Sequence, residues 1–386
     1  MSRSKLFRPA LLSVSLLTIM AGAAVAPALG QISRAFPDSD PTLIKMITTL
    51  PALLIIVASL LSGQLARVMA KRTLLIVGLL LYLVGGLAGG FATSILMLLA
   101  FRGVLGLGVG IISPLSLTLV ADFFSGETRS RYMGYSTAVS SLGGSITTIA
   151  AGWLAATNWR YAFGVYVLAI GVLALVVLAL PEPPRTQEGS RSTTRLPMRV
   201  YGLALLGLLV MLGFYVVPTT TALFLQNEGF GDAGLAGLAF AVLTFCSFLA
   251  GLGYSRIAQR LRSWTPVAGV VLFGGGMWVL SGSRSFPVVL VGMVLVGLGI
   301  AVTQPSLVVA VANLVPQADN SRALSLFSGA GYLGQFLSAI VFAALGGLFA
   351  DPSPRFSFRW SAIGFSVAAA VIVLALVRRG RTPSRA

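Results

Sequence analysis

The sequence predicts an all-α membrane protein with twelve transmembrane helices in two six-helix bundles related as pseudo-repeats. Three observations carry that reading: apolar runs of bilayer length, a one-sided placement of basic residues, and a repeat between the halves of the chain. Of the 386 residues, 56% are hydrophobic and only 10% are charged. Soluble chains carry ~25% charged residues, so most of this chain must be kept from water.

A bilayer core of ~30 Å takes about 20 apolar residues of helix at ~1.5 Å rise each. Such runs occupy 9–34, 42–62, 73–92, 95–120, 130–156, 160–180, 200–225, 233–253, 265–282, 286–311, 322–349 and 359–377. The first, with a basic start and a small-residue end at "AGAAVA", mimics a secretory leader. Cleavage there would put Pro27 at the new N terminus and leave eleven spans, so it is read as the first span. Spans two to six follow through short connections. The segment 181–199, "PEPPRTQEGSRSTTRLPMR", is Pro/Ser/Arg-rich and lacks an apolar face. It is read as a cytoplasmic linker between residues 1–180 and 200–386, and spans seven to twelve again follow closely on one another.

Basic residues set the direction of the spans. Of the 27 Lys and Arg, 20 fall on the side of the N terminus, 6 on the opposite side, and Arg102 lies within span four. This bias places both termini in the cytoplasm and assigns the net charge of +17 to lipid headgroups rather than to nucleic acid. The expected setting is the plasma membrane, the inner membrane in a bacterium. The chain has no His and a single cysteine, Cys246. That removes imidazole metal ligands, Ser/His/Asp triads and intrachain disulfides together, so no enzyme, metal or cofactor is expected.

At a shift of 191 residues, Pro27 meets Pro218, Gly106, Gly108 and Pro114 meet Gly297, Gly299 and Pro305, and Arg131 meets Arg322. Beyond an eight-residue insertion at "DPSPR", "WRYAF" from Trp159 faces "FRWSA" from Phe358. Six spans repeated in one direction is the plan of alternating-access transporters, with a solute site between the halves near the midplane. The prolines permit bends, and the glycine-rich faces permit close helix approach.

With these features the chain resembles the major facilitator superfamily over essentially its full length. The loop "GQLARVMAKR" is similar to that superfamily's signature through Gly63, Lys71 and Arg72; Arg67, Val68 and Ala70 stand where Asp, Arg and Gly are usual. In the family that acid helps latch the halves, so here Asp122, Glu127 or Asp319 is expected to serve, with Arg131 and Arg322 nearby. "RGVLGLGVG" from Arg102, "VAPALGQISRAF" and "NWRYAF" resemble the twelve-span drug:proton antiporters. In span five Gly134, Gly143, Ala151 and Gly152 keep the antiporter spacing, but Thr147-Thr148 stands where Gly-Pro is expected.

A charge within a span costs about 2.5–3.5 kcal/mol on insertion scales and is a functional hypothesis by default. Arg102, about 10 Å below the outer boundary at ~1.5 Å per residue, has Met293 as its repeat partner. It is expected to act on substrate or coupling, against the plainer reading that it bonds carbonyls or snorkels. Polar candidates for the cavity are Thr18, Ser113, Tyr215, Thr219 and Gln304, with Ser140 and Gln335 beside them; Phe214, Tyr215, Phe224 and Trp278 form a candidate aromatic wall. All ten acids fall at span ends or in loops. The resemblance implies a proton-coupled exporter of small organic or amphipathic solutes, and because a self-contained two-half bundle needs no partner, a monomer is expected. The missing midplane acids favour an alternative, a carrier or importer of small organic anions with Arg102 as counter-charge.

The charge bias makes a prediction of its own. Reporter fusions at the two ends of the chain should both give the cytoplasmic signal, and opposite signals would refute an even number of spans.

Overall fold

The computed structural model describes residues 6–183, 196–316 and 319–381, and these form helices without any strand. Residues 184–195 of the expected linker lie outside the described residues. In the first half, α1 (Phe7–Ala23) and α2 (Leu29–Ala35) make one span, joined by a 3-10 turn at Ala26–Ala28. Then come α3 (Pro41–Val68), α4 (Lys71–Ala88), α5 (Ile95–Phe123), α6 (Gly126–Thr157) and α7 (Leu168–Ala179), the last entered through a 3-10 helix at Trp159–Val167. The second half repeats the plan with α8 (Met198–Phe214) and α9 (Val216–Asn227) as one span, then α10 (Ala233–Leu261), α11 (Thr265–Gly282), α12 (Phe286–Ala312), α13 (Asn320–Leu348) and α14 (Pro354–Arg381).

Helix runs almost unbroken over 50 residues at Ala233–Gly282, which at ~1.5 Å per residue would be more than twice the bilayer core. Arg262, at φ 48°, breaks that stretch into α10 and α11, and the count of spans among the described residues is twelve. Several helices outrun the apolar runs at the end that carries the termini. α3 continues through "GQLARV" to Val68, and α10 through "SRIAQRL" to Leu261. Gln, Arg and Leu are good helix formers, and water at the bilayer surface accepts their polar side chains.

The repeat survives at the level of atomic contacts. A Cβ on Gly108 would sit 2.5 Å from the Tyr82 nitrogen, and one on Gly299 would sit 2.5 Å from the Phe273 nitrogen. Gly85 lies against the Leu105 backbone and Gly276 against that of Val296. All of these pairs are related by the shift of 191. Against the last span of each half, Tyr82 of α4 packs on Tyr166 with ring centroids 5.6 Å apart, and Phe273 of α11 packs on Phe365 at 4.1 Å. That second pair keeps the register beyond the insertion. The broken spans match too: α1 ends at the cap residue Ala24 and α8 at Tyr215, each three residues before its proline. Proline lacks the N–H that would continue the ladder, so both halves bend at the same depth.

The acids are used at helix ends. Asp40 accepts the Thr42 N–H at 2.6 Å and Asp232 the Leu235 N–H at 3.1 Å, each capping its helix. Glu182 accepts the Lys71 and Arg72 N–H groups at 2.7 and 3.0 Å, where the α4 dipole favours a negative charge. Arg355 bonds both oxygens of Glu228 at 2.8 and 2.9 Å, and this holds the Glu228 carboxyl below its ordinary range.

Because the Gly108 and Gly299 contacts are with backbone, neither neighbour can turn aside. Gly108→Ala and Gly299→Ala should each lower stability by about 1–3 kcal/mol. Gly63→Ala, where a Cβ meets nothing within 4 Å, should be neutral or slightly stabilising. Thermal unfolding in detergent reads all three.

Candidate functional site

The bends in the two broken spans leave a cavity of about 310 Å³ between the halves. The first span contributes Thr18, Ala21, Gly22 and Ala26, and the seventh contributes Phe214, Tyr215, Val217 and Pro218. α3 adds Thr48, Pro51 and Ile55, α10 adds Phe240, Leu243 and Thr244, and α13 adds Tyr332 and Gln335. Val109 of α5 and Thr148 of α6 complete the wall with Ile19. No lining side chain is charged.

The polar part of this wall is mostly committed already. Thr18 donates to the Ser15 carbonyl at 2.8 Å, Thr48 to Lys45 at 2.9 Å, Thr148 to Ser145 at 2.9 Å and Thr244 to Phe240 at 3.0 Å. Bonded back to their own helices, these hydroxyls present mainly methyl groups and a lone pair. Tyr215, whose side chain interacts with Gln335, and Tyr332, which interacts with Ser113 of α5, supply the remaining polarity. The site is therefore apolar and aromatic, with one amide and two phenols on the seventh and eleventh spans.

At the end opposite the termini the halves are sealed. Gly152 of α6 and Gly237 of α10 cross with almost no space between them: a Cβ on Gly152 would sit 2.7 Å from the Ala233 carbonyl oxygen, and one on Gly237 2.6 Å from that of Thr148. Just below, Ser145 and Thr244 share a hydrogen bond of 2.8 Å. With its amide nitrogen facing Gly30 and its oxygen facing Arg34, Gln226 bonds the Gly30 carbonyl at 2.7 Å and Arg34 Nη2 at 3.1 Å, tying α9 to α2. Near this end α6 buries Ala151, Gly152 and Ala155, and α10 buries Ala233, Gly234, Ala236 and Gly237. The cavity is closed at the end opposite the termini.

Of the residues singled out from sequence, Thr18, Tyr215 and Gln335 line the cavity, as does Phe214, and Ser113 stands beside Tyr332. Thr219 donates to the Tyr215 carbonyl at 2.7 Å and staples the α8–α9 bend. Ser140 donates to the Ser15 carbonyl at 2.6 Å, in a serine cluster with Ser116 and Ser136 that ties α6 and α5 to α1. Gln304 keeps a buried Oε1 with no hydrogen-bond partner among the described residues, away from the cavity. Phe224 lies under the Arg355 guanidinium, and Trp278 is half exposed with its indole N–H on Ser366. Sequence reasoning passed over Thr48, Thr148, Thr244 and Tyr332, because it sought the wall on spans one, four, seven and ten. Spans two, five, eight and eleven supply these residues, and span ten supplies none.

Arg102 is fully buried and does not line the cavity. Its Nε donates to the Ile47 carbonyl at 2.9 Å, Nη1 to the Tyr166 hydroxyl at 2.7 Å and Nη2 to the Ala21 carbonyl at 2.8 Å. Tyr166 in turn donates to Ala21 at 2.9 Å. In the loop motif Lys71 pairs with Asp122 at 2.7 Å, and Arg72 bonds the Val177 carbonyl, so both act within the first half. Gly63 is exposed on α3, and the Arg67 side chain lies outside the described part of the structure. Arg131 bonds the Tyr135 hydroxyl one turn along at 2.7 Å, and Arg322 stands exposed in the first turn of α13.

A twelve-span bundle with this repeat and a central cavity can be compared with known proteins. The chain is 29% identical to the multidrug transporter protein MdtP of Bacillus subtilis (strain 168) over 129 residues, 33% of this chain and 24% of that protein. It is 30% identical to the cephamycin export protein CmcT of Amycolatopsis lactamdurans over 236 residues, 59% of this chain and 46% of that protein. The chain thus spans less than half the length of these relatives. Among solved structures, that of a D-xylose-proton symporter shares the fold with a TM-score of 0.75 at 18% identity, covering 94% of this chain and 96% of that one. The family model of the Major Facilitator Superfamily matches residues 11–231 and again 203–386, so both halves and the cavity between them are accounted for, and the chain belongs to the Major Facilitator Superfamily.

Proposed function

We propose that the protein is a secondary transporter that exports small, largely apolar organic solutes by alternating access, as a monomer in the plasma membrane with both termini cytoplasmic. The observation that carries this reading is the cavity between the halves, uncharged, aromatic and closed at one end. Such a wall rewards burial of apolar surface, at about 25 cal/mol per Å², and offers an amide and two phenols for orientation. With the termini inside, the end of the cavity away from the seal faces the cytoplasm, the side from which an exporter loads. The similarity to the cephamycin export protein CmcT supports the direction. Proton exchange as the energy source is carried by the family resemblance, since no lining side chain ionises near neutral pH. An anion carrier with Arg102 as counter-charge would need that guanidinium at the cavity surface, and its donors are turned instead to Ile47, Tyr166 and Ala21.

Flux into proteoliposomes with an imposed pH gradient tests the reading, using ethidium, Nile red and fluorescein as cationic, neutral and anionic probes. The expected result is gradient-driven movement of ethidium or Nile red, with fluorescein excluded. Movement of fluorescein alone, or of no probe, would overturn it.

Alternating access also requires the sealed end to part. Gly152→Leu should wedge α6 from α10. In a Cys246→Ser background, which removes the single native thiol, a cysteine placed at Thr148 should then react faster with an impermeant maleimide added opposite the termini. Unchanged labelling would show that the glycine crossing is not the seal.

A further inference from the structure

Arg102 has three partners and no counter-ion among the described residues, and two of those partners are backbone carbonyls that have lost their regular donors. In an α-helix the carbonyl of residue 47 accepts from the N–H of residue 51. Residue 51 is Pro51, inside α3, and has no N–H. Arg102 Nε fills that place at 2.9 Å. The α1 ladder ends with the Ala24 N–H on the Met20 carbonyl, so the Ala21 carbonyl belongs to the helix end that the ladder leaves open. Arg102 Nη2 and the Tyr166 hydroxyl fill that place.

The second half is an internal control. Its positions equivalent to Arg102 and Tyr166 are Met293 and Phe365, and neither can donate. The position equivalent to Pro51 is Val242, next to Leu243, and neither is a proline. The half with a proline inside its second span has the buried donors, and the half without one there has dispensed with both. A counter-charge for substrate would have no reason to follow the proline. Pro51, Ala21 and Thr48 line the cavity, so what Arg102 holds is the wall itself.

We propose that Arg102 is a positioning residue: with Tyr166 it takes up the carbonyls freed by Pro51 and by the break in the first span, and so fixes the course of α1 and α3 along the cavity. This rests on the cavity being the solute site. The stability part of its test does not need transport.

The test is a double-mutant cycle on the full chain with Arg102→Met, the residue the second half uses, Pro51→Ala, which restores the N–H, and the pair. In the otherwise native chain Arg102→Met should lower the unfolding midpoint in detergent by several degrees. In the Pro51→Ala background the same change should cost about a third of that or less, because the residue 51 N–H then serves Ile47 and Tyr166 still serves Ala21, a coupling of the size seen between contacting groups. Arg102→Lys should not rescue, since one ammonium cannot span three acceptors. In proteoliposomes the KM values for ethidium and Nile red should rise together, about tenfold, in Arg102→Met and fall back in the pair. Equal destabilisation in both backgrounds overturns the proposal, as does a KM change confined to one probe charge. If the native chain moves neither probe, the export reading fails and the stability cycle alone decides this one.

Discussion

Everything in this structure answers to one constraint: inside hydrocarbon a backbone carbonyl has no water to turn to, so each must find a donor in the protein. Straight helices meet the demand by themselves. A cavity between two bundles needs bent helices, and bends release carbonyls. The first half bends at Pro27 and carries Pro51 as well, and it answers with a guanidinium and a phenol. The second half bends beside Tyr215, whose carbonyl keeps its regular donor, the Thr219 N–H at 3.2 Å, and takes the Thr219 hydroxyl as well. The charge is thus confined to the half that carries Pro51.

Around these bends the packing is symmetric. Glycines 191 residues apart press on backbone atoms 191 residues apart, down to the nitrogen of Tyr82 in one half and of Phe273 in the other. Contacts of this kind leave little room for adjustment within a half, since a backbone cannot rotate away as a side chain can. Between the halves the comparably close glycine contacts described are Gly152 on Gly237 and Gly30 on Gln226, both at the sealed end. Two stiff bodies in close contact at one end are suited to rocking rather than to internal rearrangement.

Much of this was legible in the sequence, for identifiable reasons. Runs of about 20 apolar residues have one meaning in a bilayer, and the prolines and arginines in register disclosed the repeat. The α10–α11 boundary was legible as the polar stretch "SRIAQRLRS", and the break falls within it, at the left-handed backbone of Arg262. The cavity was half visible. Thr18, Tyr215 and Gln335 stand out as polar residues in apolar spans, whereas Thr48, Thr148 and Thr244 look like ordinary helix threonines bonded to their own backbone. The surroundings of Arg102 were the least legible. They depend on span four lying against the second span at the level of Pro51, and apolar sequence carries no record of which helix is whose neighbour.

The clamp around Arg102 also bears on how the protein is made. Ala21 and Ile47 precede the arginine in the chain, so their carbonyls are already in the membrane when the fourth span arrives from the ribosome. Tyr166 comes two spans later. The guanidinium must therefore wait, partly satisfied and still costly to hold in lipid, until the sixth span docks. Assembly of the first bundle is drawn to completion by its most expensive side chain.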